Sequence, residues 1–427
     1  MKNTSRRNFI LGSASLAALY GTQHYAGVVT PVRAQGLKPG EKFDLVIKGG
    51  DVVDPSQNLR GVRDIGIRNA VVVAIAPNIP ADAAERVIDA KGKIVTPGLI
   101  DLHAHVFPLG SAIGLPADEL APITATTTFV SAGDAGANNF GALKHYIIGQ
   151  TRSRVYAFVH ISSIGLAGFP VMEMKDIDYA SVDLAAKTVA ENPDVVLGIK
   201  VRQSANVVGN NGLEPLKRAI MAAERSGTKA RVMCHIGGVP GNIADLLDLL
   251  RPGDVLTHAF SGAGNNTVQN GKVVPAALAA KKRGVVIDVG HGGGSFDYTV
   301  CEPAIQQGFG PDVISSDIHA SSGNSPGKPF MPWVMSKFLN LGYTLEQVVA
   351  MSTINPARVI DLLPKLGTLQ IGAPGDVSIF DLIEGHVSFV DTRDNKREGK
   401  LHLKPVHTVR AGRVFGGPPY FVPSTYP

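Results

Sequence analysis

Eight apolar, β-branched runs separated by stretches of helical character constrain this chain more than any other feature. The runs are Ile94–His105, Thr126–Ala132, Arg154–Ile161, Val195–Arg202, Ala230–Ile236, Asp254–Phe260, Val285–His291 and Val313–His319. A run that is apolar throughout, rather than at alternate positions, reads as a strand buried on both faces. Such strands belong to parallel sheets covered by helices. Eight in succession predict an α/β fold, a (β/α)8 TIM barrel. With 427 residues, 44% of them hydrophobic, the chain can fill that barrel and a smaller module besides.

Shorter strand-like pieces flank the eight runs. Phe43–Lys48, Val52–Val53, Arg63–Arg68 and Val71–Ile75 precede them. Short strands and turns over Gly367–Asp381, then His407–Val414, follow. The two flanks read as halves of one small β-sandwich module with the barrel inserted between them. The expected layout is a signal peptide at 1–34, the first half-module at 35–96, the barrel at 97–364, and the second half-module with a tail at 365–427.

Residues 1–34 carry the signal reading. Ser5-Arg6-Arg7-Asn8-Phe9-Ile10 opens a twin-arginine pattern, an apolar stretch runs from Phe9 to Gly21, and Val32-Arg33-Ala34 offers a cleavage site. Periplasmic or secreted localisation by twin-arginine export follows as the expectation. Removing Lys2, Arg6, Arg7 and Arg33, with no acid among these residues, lowers the net charge from +5 to +1. The basicity therefore belongs largely to the signal, and no nucleic-acid partner is inferred from it. No apolar run is long and uninterrupted enough to give the mature protein an integral membrane segment. Two cysteines, Cys234 and Cys301, are too few for a disulfide framework. A homo-oligomer is compatible with the sequence but not specified by it.

Barrel strands converge at their C-terminal ends, where residues distant in sequence meet. Nearly every run with a polar end finishes in a metal-ligand type. Pro97-Gly-Leu-Ile-Asp-Leu-His103-Ala-His105 places two imidazoles on one strand face, about 7 Å apart. Gly198-Ile-Lys200-Val-Arg202 places a lysine among apolar strand residues, where an ammonium is costly. Reaction with CO2 would turn that amine into an anionic carbamate able to bridge two cations about 3.5–4 Å apart. Met233-Cys-His235 and Thr257-His258 add one imidazole each, and Ser315-Ser-Asp317-Ile-His319 adds a carboxylate that can bind metal and accept a proton.

These motifs, with Thr257-His-Ala-Phe-Ser261-Gly and Asp288-Val-Gly-His291-Gly-Gly-Gly-Ser-Phe296, resemble the amidohydrolase superfamily, in its dihydroorotase-like amidohydrolase and deacetylase subgroup. The resemblance spans residues 43–415. It implies two divalent ions, zinc by default: His103, His105 and Asp317 would hold one, His235 and His258 the other, and carboxylated Lys200 would bridge them. It also implies acyl-bond hydrolysis by metal-activated hydroxide, with Asp317 as the catalytic proton carrier. Relatives tend to have His-Cys-Phe-Asn-Gly where this chain has His258-Ala-Phe-Ser261-Gly, which leaves the acyl-pocket assignment open, with Ser261 a candidate substrate contact.

Strand parity brings Arg202 to the same face as Lys200, where it could pair with a substrate carboxylate. His291 and His319, at strand ends, are further candidate substrate contacts, and His160 reads as structural. Cys234, out of phase with His235, should face the helices. The expected substrate is a small acylated carboxylate, an N-acyl amino acid or O-acyl hydroxy acid. The alternatives are opening of a cyclic amide, as by a dihydroorotase or hydantoinase, and a periplasmic metal- or ligand-binding protein. A serine hydrolase is disfavoured. His291-Gly-Gly-Gly294 and Gly323-Asn-Ser325-Pro-Gly327 mimic its motifs, but Pro326 lacks the N–H that an oxyanion hole requires.

Overall fold

The computed structural model describes residues 40–361 and 365–416; the expected signal peptide lies outside the described residues. Five strands come first: β1 (Leu45–Asp54), β2 (Leu59–Arg68), β3 (Val71–Ala76), β4 (Val87–Asp89) and β5 (Ile94–Pro97). The central region adds β6 (Leu99–Ala104), β7 (Thr126–Gly136), β8 (Arg154–His160), β9 (Val196–Gln203), β10 (Arg231–Ile236) and β11 (Val255–Thr257). A small ribbon, β12 (Val268–Gln269) and β13 (Lys272–Val273), precedes β14 (Val286–Ile287). β15 (Val377–Val390), β16 (Lys396–Arg410) and β17 (Arg413–Gly416) end the described chain.

Strands from both flanks share one sheet, in the order β17-β16-β15-β5-β1-β2-β3, with β4 beside β1. The join is β5, which pairs parallel with β1 and antiparallel with β15. Leu45, Ile47, Val52, Ile65, Ile67, Val377, Ile379 and Val409 give this sheet a core of its own. The C-terminal flank departs from expectation. Gly367–Asp376 forms no strand, whereas β15 and β16 make a hairpin of 14- and 15-residue strands. Its outer half carries Glu384, His386 and Glu398, exposed to solvent, so the backbone ladder rather than an apolar face defines it.

The central sheet runs β14-β11-β10-β9-β8-β7-β6, and every neighbouring pair is parallel. Helices cover it, and their local sequence fixes their starts. Thr344 and Gln347, for example, form a reciprocal capping box on Leu345–Ser352. Ile94–His105, expected as one strand, is two. β5 belongs to the flank sheet and β6 to the central one, and Gly98 sits at the crossing because a Cβ there would lie 2.3 Å from Thr127 Oγ1.

The last runs make shorter ladders than expected. β11 stops at Thr257, and His258 follows in left-handed conformation at φ 63°. Val313–His319 has no continuous ladder. Its bridges run from Val313 to Asp288 on one side and from Ile318 to Ala104 on the other, with Asp317 left-handed at φ 49°. For non-glycine residues such conformations cost on the order of 1–3 kcal/mol and are kept where a side chain must be aimed. Here they aim His258 and Asp317 at a common centre.

Candidate metal centre

His103, His105 and Asp317 present three ligand atoms within 4.8 Å of one another, all buried. Asp317 Oδ1 lies 3.0 Å from His105 Nε2 and 3.3 Å from His103 Nε2. Lys200 Nζ, on a side chain only 1% exposed, sits 2.9 Å from His103 Nε2. The His258 ring is 4.9 Å from His103 and 4.2 Å from His235, and its Nε2 is 3.9 Å from Asp317 Oδ2. All six residues expected as ligands therefore gather in one place.

Neighbouring groups fix which nitrogen of the His103, His105 and His258 rings faces inward. Thr257 Oγ1 donates its hydrogen to Asp288 at 2.7 Å, so it accepts from His103 Nδ1–H at 2.8 Å and leaves Nε2 bare. His105 Nδ1 donates to Asp134 at 2.8 Å, and His258 Nδ1 donates to the Gly290 carbonyl at 2.5 Å. Metal-binding histidines characteristically have such outer partners. Asp101 accepts from His103 N, Ser316 N and Ser316 Oγ, holding the backbone on both sides of the centre. The glycines leave room. A Cβ at Gly292 would lie 2.3 Å from Asp317 Oδ2, and one at Gly133 would lie 2.5 Å from Lys200 Cγ.

The electrostatics suit cations. Burial drives His103 and His235 far below the imidazole range and His258 down to about 4. Burial lowers Lys200 to about 8. Burial would raise Asp317, but the surrounding imidazoles, His103 first, hold it well below the carboxylate range. His105 goes the other way, to about 9, because Asp134 and Asp317 outweigh its burial. His258 Nε2 is buried without a hydrogen-bond partner. An orphaned imidazole nitrogen, and a ring that takes a proton only because two carboxylates flank it, fit a place made for positive ions.

A cavity of about 340 Å3 opens over this cluster. His105, Lys200, His235 and Asp317 form its floor, while Ile113, Leu166 and Phe169 supply an apolar wall. Arg202, which shares a strand face with Lys200, and His319 also line it. Arg202 Nη1 is held by Glu173 at 3.1 Å, and the same carboxylate lies 3.3 Å from His160 Nε2. Two other candidate substrate contacts lie away from the cavity. His291 is fully buried, with Nε2 on Lys337 and Nδ1 on the Gly292 carbonyl, and does not line the cavity. Ser261 is also buried away from it, accepting from Ala263 N, because the chain turns inward after left-handed His258. Cys234 packs in the helix-facing core and Cys301 is likewise buried; both are free thiols.

Sequence reasoning passed over Asp101, Asp134, Glu173, Thr257, Asp288 and Lys337. A signal existed for two of them. Asp101 and Asp288 are acids inside the apolar runs Ile94–His105 and Val285–His291, where a carboxylate persists only if it is bonded. Glu173 lies in a long connection, and nothing local marks it.

The Amidohydrolase family profile matches residues 295–414. The chain is 34% identical over 340 residues to a deacetylase of Agrobacterium fabrum, covering 79% of this chain and 83% of that one. A crystal structure of an adenine deaminase superposes with TM-score 0.81 at 30% identity, covering 88% of this chain and all of that one. A crystal structure of a dihydroorotase gives 0.80 at 31%, covering 87% and 97%. With its histidines, lysine and aspartate gathered beneath one cavity, the chain belongs to the amidohydrolase superfamily, in the dihydroorotase-like subgroup, and is a hydrolase.

Proposed function

We propose that the chain is a binuclear metal-dependent deacylase that cleaves the amide or ester acyl bond of a small carboxylate-bearing compound, such as an N-acyl amino acid or O-acyl hydroxy acid. One observation carries the reading: five ligand-type side chains meet around Asp317, and His103, His105 and His258 have their outward nitrogens already engaged. His103, His105 and Asp317 would hold one ion and His235 and His258 the other, with Lys200 carboxylated between them. Zinc suits the nitrogen and oxygen donors. Ions bound there polarise a substrate carbonyl and lower the pKa of water.

The chain's own residues supply the rest. A buried lysine with its pKa lowered to about 8 has a larger neutral fraction, and the neutral amine is the form that adds CO2. Asp317, on the cavity floor, would take the proton of the attacking water on its carboxylate and return it to the leaving group. Arg202, fixed at Nη1 by Glu173, would turn its remaining N–H groups toward the substrate carboxylate, with His319 beside it. The bonds from Val313–Ile318 to both neighbouring strands support an eighth strand position that completes a (β/α)8 barrel over 97–364. The strands pairing across β5 support a module built from 35–96 and 365–427. Export by the twin-arginine signal at 1–34 belongs to the same proposal.

Likeness to a dihydroorotase structure at 31% identity favours cyclic-amide opening as a second reading. A screen of N-acyl amino acids, O-acyl hydroxy acids, dihydroorotate and hydantoins on metal-replete mature protein separates the two. Turnover of linear acyl compounds is expected. Hydrolysis confined to the cyclic amides would replace the deacylase reading, and hydrolysis of none would favour a binding protein.

A further inference from the structure

Lys337, on the helix Met331–Asn340, is 1% exposed, yet its Nζ reaches three separate segments. Nζ donates to His291 Nε2 at 2.7 Å, to the Gly327 carbonyl at 2.8 Å and to the Val390 carbonyl at 2.7 Å. His291 Nδ1–H is already given to the Gly292 carbonyl at 2.9 Å, so its Nε2 can only accept. Burial draws the Lys337 pKa well below the usual lysine range, and three acceptors stand around Nζ. The rings of Phe296 and Tyr298 lie 5.4 and 6.0 Å from Nζ.

Each tether leads to the cavity. His291 opens the segment whose Gly293, Gly294 and Ser295 line it, and Gly327 closes the segment that contributes Ser321 and Ser325. Gly292 N donates to the Ser316 carbonyl at 2.8 Å, beside Asp317. Val390 ends β15, and the turn beyond it is bonded to the same wall. Thr392 N donates to the Phe296 carbonyl at 3.0 Å, and Tyr298 N donates to Asp391 Oδ2 at 2.9 Å.

We infer that Lys337 is a positioning residue whose Nζ clamps the two cavity-wall segments, 291–295 and 321–327, against the β15–β16 hairpin. The flank sheet then takes part in shaping the substrate site. Without the clamp, both glycine-rich segments would lose their common anchor while the strands beneath kept theirs.

Hydrogen exchange of the full chain, read by mass spectrometry, tests this without a substrate. Lys337→Met should speed exchange about tenfold or more in peptides spanning 289–297 and 319–330, and leave β1 and β9 protected. His291→Leu, a milder change that leaves the other two bonds, should loosen 289–297 alone. Wild-type protection of the wall segments in both variants would overturn the inference. So would a uniform rise throughout Lys337→Met together with an unchanged 289–297 in His291→Leu. The kinetic part rests on the deacylase reading. With N-acetyl amino acids, Lys337→Met should raise KM about tenfold and lower kcat less. If the wild type turned over none of them, that reading would fail while the exchange result still decided the role of Lys337.

Discussion

Thr257 stands between His103 and Asp288, and its single hydroxyl hydrogen settles the tautomer of the histidine. The hydrogen goes to Asp288, so the hydroxyl oxygen must accept from His103 Nδ1–H and Nε2 is left facing Lys200 and Asp317. A residue two bonds away from the centre thereby decides which atom a cation would meet. Thr257→Val keeps the shape and removes both bonds. Metal affinity should fall about 10–100-fold, measured by competition with a chelator. Unchanged affinity would mean that the relay is ornamental.

Gly292 adopts φ 52°, and a Cβ there would stand 2.3 Å from Asp317 Oδ2. Gly292→Ala should therefore displace the carboxylate and lower kcat by about 100-fold or more, with the far-UV circular dichroism unchanged. Full turnover in this variant would remove Asp317 from the proton-transfer role.

Glu173 provides a pH prediction. Burial would raise its pKa, but the close approach of His160 and the charge of Arg202 win and bring it down to about 2 from an ordinary 4.5. A depressed carboxylate stabilises the folded state fully above its unfolded pKa, and that contribution fades as pH falls towards the folded value. The stability advantage of the wild type over Glu173→Gln should be constant above pH 4.5 and shrink between 4.5 and about 2. Urea titrations across that range read it directly. A gap that widened on acidification would reverse the assignment.

The strands and the clustered side chains were legible because their signals are local: continuous apolar runs, several of them carrying a residue of metal-ligand type at or near the C-terminal end. His103, His105, Lys200, His235, His258 and Asp317 could be read together because one topology brings strand ends to one mouth. The β15–β16 hairpin was not legible, since charged residues such as Glu384 and Glu398 carry no apolar signature. His291 and Ser261 lie off the cavity for another reason: both follow points where the chain leaves the ladder, at His258 and again beyond Ile287. Lys337 and Glu173 were invisible because their partners are 46 and 29 residues away, at His291 and Arg202.

The central claim is that these six side chains enclose a pair of cations bridged through Lys200. Elemental analysis of the purified, catalytically competent chain, beside its Lys200→Ala variant, tests it most directly. About two divalent ions per chain are expected in the wild type, with a marked loss of both metal and turnover in the variant. A wild type that hydrolyses its substrate without bound metal, or a Lys200→Ala protein that keeps its ions and its full rate, would contradict the account.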